Sequence, residues 1–251
     1  METKLNSKND KVAFITGANR GIGFETAKGL GALGISIVIG VRDIVKGQDA
    51  IKQLNTLGIK AEAIHYDATD AKTLDTTYDY IASHYGKLDI LVNNAGILRE
   101  TLVGGNDSST VSQEVLQETF QTNLFAVVAL TQKLLPLIKK SVAGRIVNLS
   151  SILASQTLHS MPNSPIDFAK GFAYNASKTA LNVYTIHLAH ELKDTKIKVN
   201  SAHPGWVKTE LGGSNAPMEV VDSYKTSVYL ATLDEKGPSG GFFHEAEPLP
   251  W

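Results

Sequence analysis

The segment Tyr174-Asn175-Ala176-Ser177-Lys178 places a phenol and an ammonium at i and i+4. On a helix these two side chains share one face. A free phenol ionises near pH ~10, too high for efficient proton exchange at neutral pH. A neighbouring ammonium favours the phenolate and lowers that value. The pair therefore suits proton transfer to or from a reacting oxygen. Taken alone it carries little weight, because the chain has eight tyrosines and many lysines. A second candidate is Thr16-Gly17-Ala18-Asn19-Arg20-Gly21-Ile22-Gly23, with glycines spaced G-x-x-x-G-x-G. Glycines after a strand let the backbone turn tightly and approach a pyrophosphate, while the following helix aims its free N–H groups at the anion. A strand-to-helix turn without a ligand is the plain alternative.

Arginine indicates which dinucleotide such a loop would hold. An NAD site places a carboxylate at the tip of the second strand, to bond the ribose 2′-OH. Here that strand ends Ile39-Gly40-Val41-Arg42, and Arg20 lies in the glycine loop itself. Two guanidiniums near the ribose favour a 2′-phosphate, hence NADP(H). Asp43 is the competing residue; if it took the place of Arg42, NAD would be favoured. His187, His190 and Glu191 could share a helix face, but their order matches no zinc motif and they fall turns away from Tyr174. No metal site is expected.

These residues need elements to hold them. Apolar runs at 12–16 and 35–41, and the segments 61–66, 88–92, 145–149 and 197–202, read as strands, with a last short one at 241–243. Helical spacing covers 22–33, 45–57, 71–85, 111–140 and 174–192. Continuous β-branched runs such as 35–41 suit strands buried on both faces. The alternation predicts an α/β fold: a Rossmann-type, doubly wound parallel sheet of about seven strands flanked by helices. Ligands would lie at the carboxyl ends of the strands.

Composition bounds the partners. With 24 basic and 25 acidic side chains, the net charge of −1 excludes a general polyanion binder, so no nucleic acid is expected. Cysteine is absent, which excludes disulfides and thiolate chemistry. The longest apolar runs are about seven residues, against about 18–20 for a membrane span. The polar first ten residues lack an apolar signal core and read as a flexible leader. A cytoplasmic protein is expected, with residues 11–251 forming one domain.

In order along the chain stand TGANRGIG, Asn93-Asn94-Ala95-Gly96, Asn123, Asn148-Leu149-Ser150-Ser151, YNASK and His203-Pro204-Gly205. This series resembles the short-chain dehydrogenase/reductase family from about Lys11 onward, and in detail its NADPH-dependent carbonyl reductases. The resemblance implies residue roles. Gly17, Gly21 and Gly23, with Asn19 and Ile22, would shape the phosphate loop, and Arg20 and Arg42 would surround the 2′-phosphate. Asp67 and Ala68 would meet the adenine, and Asn93, Ala95 and Gly96 the adenosine side. Pro204, Gly205, Val207 and Thr209 would flank the nicotinamide. Asn123, Ser151, Tyr174 and Lys178 match the catalytic tetrad. In it, tyrosine gives the proton and serine holds the substrate oxygen. Lysine tunes the tyrosine and holds the ribose, and asparagine holds a relay water. The family pattern favours Ser151 over Ser150.

One departure is the serine-to-tyrosine spacing, which exceeds the usual family spacing by roughly ten residues. The extra stretch, within 155–172, has two prolines and no helical period, and is expected to be a loop beside the active site. Met161, Ile166 and Phe168 are candidate substrate contacts. Trp206 is either a pocket wall or a core aromatic, and 206–223 would be a substrate loop. The expected activity is NADPH-dependent reduction of a small ketone or aldehyde, or the reverse oxidation of an alcohol. A non-catalytic NADP sensor on the same fold is the alternative. The same resemblance leaves monomer and homo-oligomer both open.

Overall fold

The computed structural model describes residues 11–104 and 107–251; the expected leader lies outside the described residues. Eight strands form one sheet: β1 (Val12–Thr16), β2 (Ser36–Val41), β3 (Ala61–His65), β4 (Ile90–Asn93), β5 (Arg145–Leu149), β6 (Lys198–His203), β7 (Phe242–His244) and β8 (Glu247–Pro248). Their order is β3-β2-β1-β4-β5-β6-β7-β8, all parallel except the β7–β8 pair. The count exceeds the expected seven because the short β8 folds back on β7.

The strands form where the apolar runs predict, since a parallel strand between two helical layers has no polar face. One layer holds α1 (Gly21–Ala32), α2 (Ile44–Thr56) and α8 (Lys225–Ala231). Leu30, Ala50, Leu54 and Leu230 bury there against Ile15, Ile37 and Ile39. On the other face lie α3 (Lys72–Tyr85), α5 (Ala126–Ile138) and α7 (Phe172–Glu191), with Ile81, Leu130, Leu134 and Leu188 against Phe14, Val38 and Leu91. Arg145 belongs to this scaffold. Its buried guanidinium donates to the carbonyls of Leu233, Asp234 and Lys196 at 2.6–3.1 Å.

The long helix expected over 111–140 is broken. It comprises α4 (Gln113–Phe120), a π-helical turn at Gln121–Phe125, and α5. π turns inside helices recur at functional sites, and this one carries Asn123, which is fully buried. The stretch expected to be irregular contains one short helix, α6 (Gln156–Ser160), whose N-terminus Ser155 caps by accepting the Leu158 N–H at 3.1 Å.

Candidate active site

A cleft of about 1640 Å³ runs along the carboxyl ends of the strands. Its centre is the point where the strand order reverses, between β1 and β4, where open α/β sheets bind ligands. The glycine loop leaves β1 there. Gly17 and Gly21 have φ of 65° and 60°, which glycine adopts without strain. A β-carbon at Gly23 would lie 2.5 Å from Asn94 Nδ2 and 2.8 Å from Gly17 O. That close approach ties the loop to the β4 end: Asn94 Nδ2 donates to Thr16 O at 2.8 Å and to Gly17 O at 3.2 Å.

Gly17, Asn19, Arg20, Gly21, Ile22, Gly23, Arg42, Asp67, Ala68, Ala95 and Gly96 all line the cleft. Asn93 does not. As the last residue of β4 it is buried, and its Nδ2 donates to Thr131 at 3.1 Å and Asn148 at 2.8 Å. Asn94, one position on, turns into the cleft instead, a site residue the sequence reading passed over. Arg42 is exposed on the rim. Asp43 is committed elsewhere: its carboxylate caps α2 by accepting the Val45 and Lys46 N–H groups at 3.0 and 3.2 Å. Arg20 forms an ion pair with Glu210, both well exposed. Such a pair is weakly held and readily exchanged for another anion. At Asp67 partial burial raises the carboxyl pKa, but bonds from Thr69 and the charge of Arg42 outweigh this and hold it low.

At the other end Tyr174 and Lys178 rise from α7 beside Ser151, which follows β5. All three are buried and all line the cleft. The Ser151 hydroxyl is close enough to the Tyr174 phenol to favour its ionised form. Ser150 Oγ is buried without a hydrogen-bond partner in the protein. Lys178 Nζ donates to Leu149 O at 2.8 Å and lies 5.9 Å from the Tyr174 ring centre. Burial pushes the phenol up to about 12, partly offset by Ser151. Burial also brings Lys178 down to about 8. In both groups the loss of water disfavours the charged form.

Asn123 does not reach the cleft surface. Its Nδ2 donates to Ile97 O at 2.9 Å and Ser177 Oγ at 3.1 Å, and its Oδ1 accepts from Ile97 N at 2.8 Å. The amide expected to hold a water is largely committed to protein partners. His203 also lines the cleft. Its Nδ1 accepts the Ile152 N–H at 3.2 Å, and burial lowers its pKa to about 3, so it is neutral.

Beyond Tyr174 the cleft has an apolar wall, and Arg99, Glu118 and Gln121 are also among its lining residues. Leu98 and Leu102 pack against Leu153, Ile166, Ala169 and Tyr174. The Phe168 and Trp206 rings lie 5.6 Å apart, and Trp206 Nε1 donates to Gly212 O at 2.8 Å. Trp206 is thus a wall braced by the loop behind it. Met161 is exposed and lies outside the cleft, because the turn after α6 points it to solvent. Pro204, Gly205, Val207 and Thr209 line the cleft between Trp206 and the glycine loop. Leu98 and Leu102 gave no sequence signal, since loop residues have no period. Among the described residues no group of three metal-ligating side chains gathers, and no helix is long and apolar enough to cross a membrane.

Sheet order, switch-point cleft and the buried serine, tyrosine and lysine define a Rossmann-type oxidoreductase. The chain belongs to the short chain dehydrogenase family, whose profile matches residues 11–219. It is 32% identical to human carbonyl reductase [NADPH] 1 over 278 residues, covering 96% of this chain and 98% of that one. It is 31% identical to salutaridine reductase of Papaver somniferum over 299 residues, covering 95% of each. The structure of that poppy enzyme superposes with a TM-score of 0.81 at 30% identity, over 93% of this chain and 99% of the other. An NADPH-bound carbonyl reductase from chicken fatty liver gives 0.83 at 26%, over 96% and 99%.

Proposed function

We propose that the protein reduces a small apolar ketone or aldehyde to its alcohol with NADPH. The observation that carries this reading is the buried Tyr174 phenol, set close to Ser151 at the cleft end with Lys178 beside it. The glycine loop fits a dinucleotide, since Gly17, Gly21 and Gly23 line the cleft and a side chain at Gly23 would collide with Asn94 and the loop backbone. Gly17 to Gly23 would hold the pyrophosphate, and Arg20 and Arg42 the 2′-phosphate. Asp67 and Ala68 would border the adenine, Ala95 and Gly96 the adenosine side, and Pro204 to Thr209 the nicotinamide. When bound, NADPH supplies the hydride.

Ser151 Oγ and Tyr174 Oη would both contact the substrate oxygen. As charge builds there, Tyr174 gives its proton and Ser151 keeps its hydrogen bond to the nascent alcohol oxygen. A phenol held protonated by burial is suited to this direction. Lys178, next to the phenol, steadies the charge left on it. Leu98, Leu102, Ile166, Phe168 and Trp206 form an apolar wall, and the Arg99 and Glu118 charges that also line the cleft are paired with each other, which favours neutral substrates with an apolar face. The names of the similar proteins, two of them NADPH carbonyl reductases, support the same assignment.

The test is Tyr174→Phe, assayed by loss of NADPH absorbance with a panel of activated ketones. Turnover should fall by about 10²-fold or more, while NADPH binding, measured by fluorescence titration, stays near wild type. Substantial residual turnover would refute the assigned proton donor. Tight NADPH binding by a wild type that turns over no ketone would favour the sensor reading.

A further inference from the structure

The first turn of α7 presents Tyr174, yet its N-cap residue, Gly171, has no side chain to satisfy the free amides. The cap comes from Glu100, in the loop after β4. Its Oε1 accepts the Ala173 N–H at 3.1 Å, and its Oε2 accepts the Tyr174 N–H at 2.9 Å. A β-carbon at Gly171 would stand 3.3 Å from Glu100 Oε2, so glycine there gives the carboxylate room. A negative charge at a helix N-terminus is favoured by the helix dipole, and charged acceptors make the stronger bonds.

An ordinary N-cap uses a neighbouring side chain. Here a carboxylate from a distant loop engages two amides at once, and one of them belongs to Tyr174 itself. Two bonds from a rigid fork fix the rotation of the turn, and the phenol follows its own Cα. The same loop grips the site a second way. Leu98 and Leu102, on either side of Glu100, pack against Leu153, Ile166 and Tyr174.

We propose that Glu100 is a positioning residue that aims Tyr174 at the substrate oxygen. The proposal rests on Tyr174 being the proton donor. Loss of the carboxylate lets the first turn of α7 loosen, while the glycine loop rests on other elements and Lys178, a turn further along α7, stays tied to Leu149 O.

The experiment compares wild type, Glu100→Ala and Glu100→Gln of the whole chain, with NADPH and ethyl benzoylformate. In Glu100→Ala, kcat should fall by about tenfold to about a hundredfold, the range of small misplacements of reacting groups. KM and Kd for NADPH should hold. Glu100→Gln keeps one acceptor oxygen and the side-chain shape, so its kcat should lie between the two. It also carries the test should Glu100→Ala fail to fold. Ser112→Ala is the control. Ser112 caps α4 by accepting the Val115 N–H at 3.1 Å, and its loss should lower stability and leave kcat unchanged. Wild-type kcat in both Glu100 variants would overturn the proposal. So would a parallel fall of kcat, NADPH affinity and melting temperature with no recovery in Glu100→Gln. A Tyr174→Phe enzyme that still turns over would remove the donor reading, whereas an inactive Tyr174→Phe beside a normal Glu100→Ala would remove only the role given to Glu100.

Discussion

Burial sets the protonation of the central pair. Tyr174 is held protonated up to about 12, and Lys178 loses its proton near 8, in both cases chiefly because burial strips away water. The sequence showed the spacing that brings the two together, but not the burial that disfavours charge on both. A consequence is a pH limb. In the proposed mechanism Lys178 acts as an ammonium, and kcat/KM for NADPH reports groups of the free enzyme. With the lysine pKa lowered, the active form is full below about 8 and is lost as pH rises through it. Tyr174 adds no fall in that range, and His203, neutral down to about 3, adds no acid limb near neutrality. A kcat/KM profile for NADPH should therefore be level near neutral pH and decline above about 8. A level profile through pH ~10, the ordinary lysine range, would show that Lys178 keeps its charge in the free protein.

Elements decide which neighbouring residue reaches the cleft. Asn93 closes β4 and points into the core, and Asn94 begins the loop and faces the ligand site. A one-residue step at a strand end exchanges such roles, and sequence pattern does not set the register that finely. The glycine loop is held by the same Asn94. An added methyl in Gly23→Ala would sit 2.5 Å from Asn94 Nδ2 and 2.8 Å from the loop backbone. Backbone cannot yield as a flexible side chain can, so about 1–3 kcal/mol of stability should be lost. NADPH affinity should weaken by at least about tenfold, since the amides no longer line the anion path. Titration of dihydronicotinamide fluorescence checks this, and an unchanged Kd would mean the loop does not hold the pyrophosphate. The β1-to-β6 frame was legible because strand signals alternate with helical spacing along the chain, most plainly in the apolar runs of β1 and β2. The π turn was hidden, since apolar spacing continues across Gln121–Phe125. Within the 155–172 stretch, Phe168 and Met161 looked alike. Both are about half exposed, and only the fold shows that Phe168 lines the cleft against Trp206 while Met161 does not.

At the scale of the whole molecule, one topological fact organises the site. Parallel strands run outward in both directions from the β1–β4 junction, so the loops after β1, β2 and β3 form one half of the cleft and those after β4, β5 and β6 the other. A ligand lying across that junction touches both halves of the sheet and should stabilise the fold as a unit. Binding at about 100 times Kd adds about 2.7 kcal/mol. For a chain of this size that corresponds to a rise in melting temperature of about 5–10 °C. NADPH should produce such a rise, and NADH at equal concentration a smaller one. The difference is expected to reside at Arg42, since the Oδ1 of Asp43 is held in capping α2. Arg42→Asp should lower the NADPH shift, raise the NADH shift and bring the two together, because a carboxylate repels the 2′-phosphate and accepts the 2′-OH. A thermal melt of both proteins with each nucleotide reads this directly. If the gap between NADPH and NADH survives the substitution, discrimination lies elsewhere in the cleft. Arg20 would then be the residue to replace, with its ion pair to Glu210 exchanged for the phosphate.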